Sequence, residues 1–206
     1  MSSDSVSMVA SEIELVPPNC FERLDLPAIF GRRAPLEVDL GCGDGSFLTA
    51  TAATYSDRNF LGIERLLGRV HTACRKIERA GLTNARVLRI EIAYAVERLL
   101  PENSVAVFHL MFPDPWPKRR HAPRRLVNEA FLQSMYRALE LGGLVRMATD
   151  ESDYFGQITR LVSKASGLAV IADESPTLAT TKFERRFTQN GVPIHRLLLR
   201  KVSPVM

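Results

Sequence analysis

The chain has 206 residues, 46% apolar and 24% charged, which fits one globular domain whose core needs neither disulfides nor metals. Its three cysteines, Cys20, Cys42 and Cys74, form no CxxC pair and have no histidine at a zinc-ligand interval, so neither a disulfide framework nor a bound metal is expected. The first residues lack the basic and apolar regions of a secretion signal, and no apolar run approaches the ~20 residues of a membrane span. We therefore expect a protein of the reducing cytoplasm.

Positive charge is concentrated in one short stretch of the chain. Removing its five cations from the formal net charge of +4 leaves −1 for all other residues. A local cationic strip on a nearly neutral protein is typical of a docking site for a polyanion, and not of general nucleic-acid binding. The five residues of this cationic strip are Lys118, Arg119, Arg120, Arg124 and Arg125.

Strand-like and helix-like segments alternate after an irregular start. Residues 1–34 are polar and then interrupted by prolines, which predicts a flexible lead-in to a domain over 35–206. Beyond them, short apolar runs predict buried strands, and apolar residues at helical spacing predict helices between these strands. The predicted strands lie at 36–40, 60–64, 85–90, 105–111, 144–149, 168–172 and 194–200, and the predicted helices at 66–80, 127–139 and 154–165.

This order of elements predicts the fold class. Parallel strands joined by helices form a sheet covered on both faces, because right-handed crossovers place the helices above and below it. We expect an α/β, doubly wound, mostly parallel sheet of seven strands in a single domain. Ligands of such folds bind in the crevice at the carboxyl ends of the strands.

A glycine-rich turn follows the first predicted strand. Gly41, Gly43 and Gly45 let the backbone bend sharply and let a ligand approach main-chain atoms closely. The dinucleotide fingerprint requires G-x-G-x-x-G, whereas the third glycine here comes one residue earlier, so an NAD site is disfavoured. We expect the three glycines to belong to a site for a different nucleoside ligand.

Acidic residues lie on or just after the first three predicted strands. Glu37 and Asp39 belong to the first strand, where a buried carboxylate is costly unless it meets hydrogen-bond donors, which a ligand could supply. Glu64 ends the second strand and can accept two hydrogen bonds from vicinal ribose hydroxyls. Glu91 follows the third strand and could meet an adenine amino group. Each alone could be an ordinary strand-end acid, but together with the glycine turn they favour an adenosine-containing ligand.

The stretch FPDPW opens where the fourth predicted strand enters the crevice. Pro113 and Pro115 each fix a φ angle and bias Phe112 and Asp114 away from the right-handed helical region. The Asp114 carboxylate is therefore held in place. Trp116 either offers a flat face to a base or is simply a packing residue, and the cations that follow can hold phosphates.

Several motifs together resemble one enzyme family. The string FPDPWPKRRHAPRRLV, preceded by LEVDLGCGDG and FLGIE and followed by ATD, TKFE and GVPIHR, is similar to the signature of bacterial single-subunit tRNA (guanine-N7)-methyltransferases. The resemblance covers residues 36–201. It implies a Rossmann-like class I methyltransferase fold, S-adenosylmethionine as methyl donor and tRNA as partner. The product that it implies is 7-methylguanosine at position 46 in the variable loop.

The same resemblance implies roles for individual residues. Glu37, Glu64, Glu91 and Asp114 match the family's methyl-donor contacts. Glu91 stands where the family commonly has aspartate. Asp39 stands where the family often has glycine, and this second departure makes the turn more similar to the general methyltransferase pattern. Substrate contacts are implied for Lys118, Asp150, Thr181, Lys182, Phe183 and Glu184, and RNA contacts for Arg120, His121, Arg124 and Arg125.

Methylation of guanine N7 makes modest chemical demands. N7 has an in-plane lone pair and no proton, so attack on a sulfonium methyl group needs alignment and charge stabilisation more than a strong base. Asp114 could bind the N1 and amino edge of guanine and stabilise the positive charge that develops, or it could accept a proton. The base has to be unstacked, with Trp116 or Phe183 as the ring that holds it.

Two other interpretations stay open on the sequence alone. One is a class I methyltransferase that acts on another RNA, a small molecule or a protein; with a small molecule or a protein as substrate, it would keep the glycine turn and Glu64 without needing the cationic strip or TKFE. A non-catalytic RNA-binding protein could keep the strip with a decayed donor site, which the glycines and Asp114 argue against. We expect a monomer or homodimer that needs no second type of subunit and no membrane.

Overall fold

The computed structural model describes residues 13–165, 167–172 and 181–203. Within these ranges it describes Arg119 and Lys182 by their backbone alone. Its strands are β1 Glu14–Leu15, β2 Leu36–Leu40, β3 Asn59–Glu64, β4 Ala85–Arg89, β5 Val105–Met111, β6 Leu139–Thr149, β7 Leu168–Ile171 and β8 His195–Lys201. Its α-helices are α1 Leu26–Phe30, α2 Ser46–Thr54, α3 Leu67–Arg79, α4 Ile92–Tyr94, α5 Glu129–Ala138, α6 Ser152–Val162 and α7 Lys182–Gln189. A π-helical turn, Ala95–Leu99, continues α4, and Arg119–Arg124 form a 3-10 helix.

The strands form one sheet in the order β1-β4-β3-β2-β5-β6-β8-β7. Strands β1 to β6 are all parallel to one another, and β8 pairs antiparallel with both β6 and β7. From β2 the chain continues to β3 and β4 on one side and then returns to β5 and β6 on the other. The order of strands therefore reverses between β2 and β5, and ligands of doubly wound folds bind at such a point.

The core lies on both faces of the sheet. Alternate residues of β3 point to opposite faces, so Phe60 packs in one apolar cluster while Leu61 and Ile63 pack in the other. The cluster around Phe60 contains apolar residues of α2 and α3, and the second contains those of α1, α5, α6 and the π-helical turn. This arrangement confirms the predicted α/β, doubly wound, mostly parallel fold.

The structure extends the predicted sheet by one short strand. Strand β1 pairs with β4 at the edge of the sheet, and Leu24 and Phe30 are buried in the core, so residues 13–34 pack on the domain that was predicted to begin at residue 35. Residues 1–12 lie outside the described part of the chain. Within the described part, no helix has the length and apolar character needed to cross a membrane.

Candidate active site at the carboxyl ends of the strands

A cleft of about 620 Å³ opens at the carboxyl ends of β2 to β5. Glycine, acidic and aromatic residues from four strand ends meet there, together with the start of α7. The predicted site residues that line it are Asp39, Gly41, Gly43, Glu64, Glu91, Asp114, Arg124, Thr181 and Phe183. The predicted residues Glu37, Gly45, Lys118, Arg120, His121, Arg125, Asp150 and Glu184 are not among the lining residues.

The glycine turn between β2 and α2 has a backbone that other residues would strain. Gly41, Gly43 and Gly45 have φ angles of 83°, 57° and 72°, all in the left-handed region. The amides of Gly41 and Cys42 donate hydrogen bonds of 2.9 and 3.0 Å to the carbonyl of Ile63, which ties the turn to the end of β3. Gly45 is buried beside Ala73 of α3, whereas Gly41 is exposed. The exposed edge of the turn is thus left free for a ligand.

Asp39 brings a buried carboxylate to the floor of the cleft. Its side chain is 4% exposed, and one oxygen, Oδ2, has no hydrogen-bond partner among the described residues. Burial, reinforced by the nearby charge of Glu64, raises the pKa of Asp39 to about 7. An unpaired acceptor in a buried position is costly, so this oxygen is suited to a hydrogen-bond donor that a ligand supplies.

The raised pKa of Asp39 makes the stability of the fold depend on pH. Between about pH 4 and about pH 7 the folded chain keeps a proton that the unfolded chain has lost, so the free energy of unfolding decreases as pH rises through this window. Asp39→Asn cannot ionise and should lack this decrease. Urea unfolding at about pH 5 and about pH 8 should show the variant gaining stability relative to the parent protein at the higher pH. Parallel pH profiles would show that Asp39 ionises freely in the fold.

Glu64 and Glu91 are each held in place by the main chain. One oxygen of Glu64 accepts 2.8 Å hydrogen bonds from the amides of Arg65 and Leu66, and its other oxygen lies 3.7 Å from the Arg69 guanidinium, beyond hydrogen-bond range. Glu91 is exposed and caps α4 by accepting a 2.8 Å hydrogen bond from the Tyr94 amide. Each carboxylate therefore keeps acceptor capacity for a ligand.

Glu37 does not reach the cleft. Its carboxylate accepts from Arg58 at 2.5 Å and bonds His109 Nε2 at 2.7 Å, inside the sheet between β2 and β5. Burial would raise the pKa of Glu37, but the hydrogen bonds and charges of His109 and Arg58 more than offset this and lower it. Glu37 lies two residues, about 7 Å, farther from the end of the strand than Asp39. The Glu37 carboxylate thus pairs with Arg58 and His109 and does not line the cleft, and the donor contact implied for it stays a prediction.

The FPDPW turn has two residues in the left-handed region. Phe112 and Trp116 have φ angles of 55° and 44°, which non-glycine residues rarely adopt. Phe112 thus avoids the right-handed helical region, as predicted, but by a left-handed conformation and not an extended one. Its amide donates a 2.8 Å hydrogen bond to the Ala148 carbonyl of β6. Between the two strained residues, Asp114 is exposed at the edge of the cleft.

Aromatic rings line the same edge of the cleft. Phe183 is 52% exposed, and its ring lies 6.2 Å from that of Phe112 and 6.3 Å from that of Phe187. Thr181 caps α7 by accepting a 3.0 Å hydrogen bond from the Glu184 amide, which sets the start of the helix. The structure therefore brings Phe183 to the cleft on a capped helix, as one wall of the site.

Trp116 is more enclosed by its neighbours than Phe183. The Arg124 guanidinium lies 5.1 Å from the centre of its ring, and the His121 ring meets it edge-on at 5.7 Å. One face of the indole is thus occupied by a cation. Both rings proposed to hold a base line the cleft, and Phe183, at 52% exposure, is more accessible than the half-buried Trp116.

The cationic strip divides into exposed and buried members. Lys118, Arg120 and Arg124 are exposed, and the Arg119 side chain lies outside the described residues, as does that of Lys182. Arg125 is only 4% exposed and bonds protein groups, so it does not share the exposed surface of the strip, and the RNA contact implied for it stays a prediction. Asp150 is half-buried and does not line the cleft, and Glu184 pairs with Arg196 of β8. Among the side chains that the structure describes, none cluster as a metal site.

Comparison with known proteins identifies the family. The family described as "Putative methyltransferase" matches residues 33–197. The tRNA (guanine-N(7)-)-methyltransferase of Syntrophotalea carbinolica is 38% identical over 83% of this chain and 76% of its own length. The enzyme of the same name from Cutibacterium acnes is 36% identical over 88% of this chain and 68% of its own length. The chain belongs to the tRNA (guanine-N7)-methyltransferase family.

The fold of this family member is shared with more distant methyltransferases. The tRNA (m1A58) methyltransferase of Aquifex aeolicus superposes with a TM-score of 0.56 over 82% of this chain and 63% of that chain, at 13% sequence identity. This similarity shows the fold alone, and it confirms the predicted class I methyltransferase architecture.

Sequence reasoning missed several residues that shape the site of this family member. Phe187 was not considered, although its spacing of four from Phe183 on a short helix places both rings on one side. Asp153 and Gln157 of α6 were also missed. Both contact the cationic strip through Arg125, and no local pattern marks them.

Proposed function

We propose that the chain transfers a methyl group from S-adenosylmethionine to N7 of a guanine in tRNA, at position 46 of the variable loop. The observation that supports this most is that one cleft contains both the acids of β2 to β4 and the Asp114 turn of β5. Exposed members of the cationic strip follow that turn directly, where they can hold tRNA phosphates. We propose that the reaction takes place in the cytoplasm, because the three cysteines are unpaired and a reducing compartment keeps thiols in that state.

The described residues fit the methyl donor. When bound, S-adenosylmethionine supplies an electrophilic methyl group on a sulfonium centre. The unpaired oxygen of Asp39 would accept a hydrogen bond from the donor's ammonium group, which also favours the ionised carboxylate. The free oxygen of Glu64 would accept from the ribose hydroxyls, and Glu91 from the adenine amino group. The edge of the glycine turn allows the close approach that such a ligand needs.

Asp114 and Phe183 would hold the guanine. An ionised carboxylate has only acceptor oxygens, so Asp114 can accept from the N1 hydrogen and the amino group of guanine together. This orients the base, and it stabilises the positive charge that N7 methylation places on the purine. Phe183 would stack on the extruded base through its exposed face. Arg124, on Trp116 at the cleft edge, would meet an adjacent phosphate.

Removing the ring of Phe183 should weaken the use of tRNA without unfolding the protein. Loss of one stacked base costs about 1–3 kcal/mol, so Phe183→Ala should lower kcat/KM for tRNA about 10- to 100-fold. Phe183→Tyr keeps the ring and should stay close to the parent enzyme. Steady-state kinetics of both variants, beside Trp116→Ala, test the assignment. Full activity of Phe183→Ala combined with a large loss in Trp116→Ala would assign the stacking to Trp116.

Methyl transfer itself can be tested directly. The purified chain alone is incubated with labelled S-adenosylmethionine and unmodified tRNA, and the labelled nucleoside is then mapped. Label in 7-methylguanosine is expected, and a tRNA in which adenine replaces the guanine at position 46 should take up none. Label only in another RNA, a protein or a small molecule would support the alternative methyltransferase. Binding of tRNA without label would support a non-catalytic RNA-binding protein.

A further inference from the structure

Arg125 differs from the rest of the cationic strip in its surroundings. Its relative exposure is 4%, whereas Arg120 and Arg124 are exposed. A phosphate of a docked RNA could not reach this guanidinium without displacing the protein groups around it. The buried guanidinium of Arg125 is therefore expected to act on other groups of the protein.

The guanidinium of Arg125 bonds two separate parts of the chain. Its Nε donates a 2.8 Å hydrogen bond to the carbonyl of Pro115, in the FPDPW turn. Its two terminal nitrogens donate to Gln157 at 2.7 Å and to Asp153 at 2.9 Å, both on α6. The planar group also lies 4.9 Å from the centre of the Tyr154 ring. Arg125 thus connects the turn to one face of α6.

The helix that receives this connection is firmly anchored. Tyr154 is fully buried in the core, and its hydroxyl accepts a 3.0 Å hydrogen bond from the Val127 amide. At the other end of the turn, the Phe112 amide bonds the Ala148 carbonyl of β6. The turn is therefore held at both ends, and Asp114 lies between the two attachments.

We propose that Arg125 is a positioning residue, which fixes the FPDPW turn on α6 so that Asp114 faces the cleft, and that it does not contact RNA phosphates. This inference rests on the proposed function of Asp114. The turn needs such an attachment because Phe112 and Trp116 adopt strained backbone conformations, which persist only where surrounding contacts maintain them. An arginine is suited to the task because its planar fork bonds several acceptors at fixed angles, which lysine cannot do.

Replacement of Arg125 by another cation separates a positioning role from a contact with RNA phosphates. Arg125→Lys keeps the positive charge but loses the fork, and misplacement of a reacting group by about 1 Å can cost about 100-fold in rate. We expect kcat to fall about 10- to 100-fold, with the affinity for tRNA and its salt dependence unchanged. Arg120→Ala should do the opposite, weakening tRNA binding and reducing the log-log salt slope by up to ~0.9. Arg160→Lys, on the exposed side of α6, is the matched control and should change neither quantity.

The partners on α6 give a second, independent test. Asp153→Ala removes the acceptor of Arg125 but no positive charge, so a role in RNA binding predicts unchanged or tighter binding and unchanged turnover. The positioning role predicts a fall in kcat in the same direction as Arg125→Lys. It also predicts that the two changes together cost less than the sum of their separate effects, because they break one connection. Asp153→Ala also tests the positioning role if the Arg125 variant does not fold.

A spectroscopic measurement separates this inference from the proposed function. Trp116, the one tryptophan in the sequence, follows the carbonyl that Arg125 holds, so its fluorescence reports on the turn even if the enzyme is inactive. Loss of the attachment should increase quenching of this fluorescence by acrylamide in Arg125→Lys and in Asp153→Ala. Unchanged quenching in both variants, together with weaker tRNA binding and a reduced salt slope in Arg125→Lys, would overturn the inference and assign Arg125 to the RNA interface.

Discussion

Asp114→Asn should lower the rate of methyl transfer about 100- to 1,000-fold, which is the usual effect of removing one preorganised electrostatic contact. The amide has nearly the shape of the carboxylate but presents one donor group in place of an acceptor, so it cannot accept from both the N1 hydrogen and the amino group of guanine. Single-turnover assays with saturating tRNA measure this loss. The affinity for tRNA should change little, because the exposed cations supply most of the binding energy.

Donor affinity distinguishes the two roles given to Asp114. If it contacts only guanine, Asp114→Asn binds S-adenosylmethionine as the parent enzyme does, and if it also contacts the donor, that affinity falls as well. Asp57→Asn is the matched control, since Asp57 is an exposed acid before β3, at the opposite end of the strands from the cleft. Parental turnover in Asp114→Asn would remove this residue from the mechanism.

Gly45→Ala should be the most destabilising single-methyl change in the glycine turn. A Cβ at residue 45 would lie 2.6 Å from Cβ and 2.8 Å from Cα of Ala73, and the φ of 72° adds backbone strain. Overpacking and a left-handed alanine together cost about 2–4 kcal/mol, which lowers the Tm by about 5–15 °C. Thermal unfolding measures the shift.

Gly156→Ala in α6 is the natural counterpart to that change. Nothing lies within 4 Å of a Cβ built there, so alanine should stabilise the helix by about 0.4–1 kcal/mol. Loss of stability in both variants to the same degree would mean that close contact with α3 is not what requires glycine at residue 45.

The positions of the strands could be predicted because each is a short apolar run with its own boundaries. Strands β2 and β5 begin and end at the predicted residues 36–40 and 105–111. Strand β6 was predicted to begin at residue 144 but begins at Leu139, because Leu139 pairs with Val105 of β5 although a glutamate and two glycines between residues 139 and 144 interrupt the apolar run. The acids at the strand ends could also be placed, because each lies on or directly after an apolar run in the sequence; they are Asp39, Glu64, Glu91 and Asp114.

Contacts between distant residues could not be predicted in this way. Within KRRHAPRR, nothing local separates Arg125 from the exposed Arg124, since the acceptors that bury it lie 28 and 32 residues later on α6. Glu37 and Asp39 share one face of β2 and look equivalent in sequence. Only the fold shows that Glu37 lies deeper and meets His109, 72 residues away.

The reversal of strand order between β2 and β5 has a consequence for how new acceptors can arise. In the proposed function, the acids that would bind the donor lie on or just after β2 to β4, whereas the groups that would hold the acceptor lie beyond β5 and on α7. Exchange of the segment between β5 and α5 would leave the donor half of the cleft intact while replacing the acceptor half. This sheet is thus organised as a constant half and an exchangeable half, so a change of substrate need not involve a new way of binding the methyl donor.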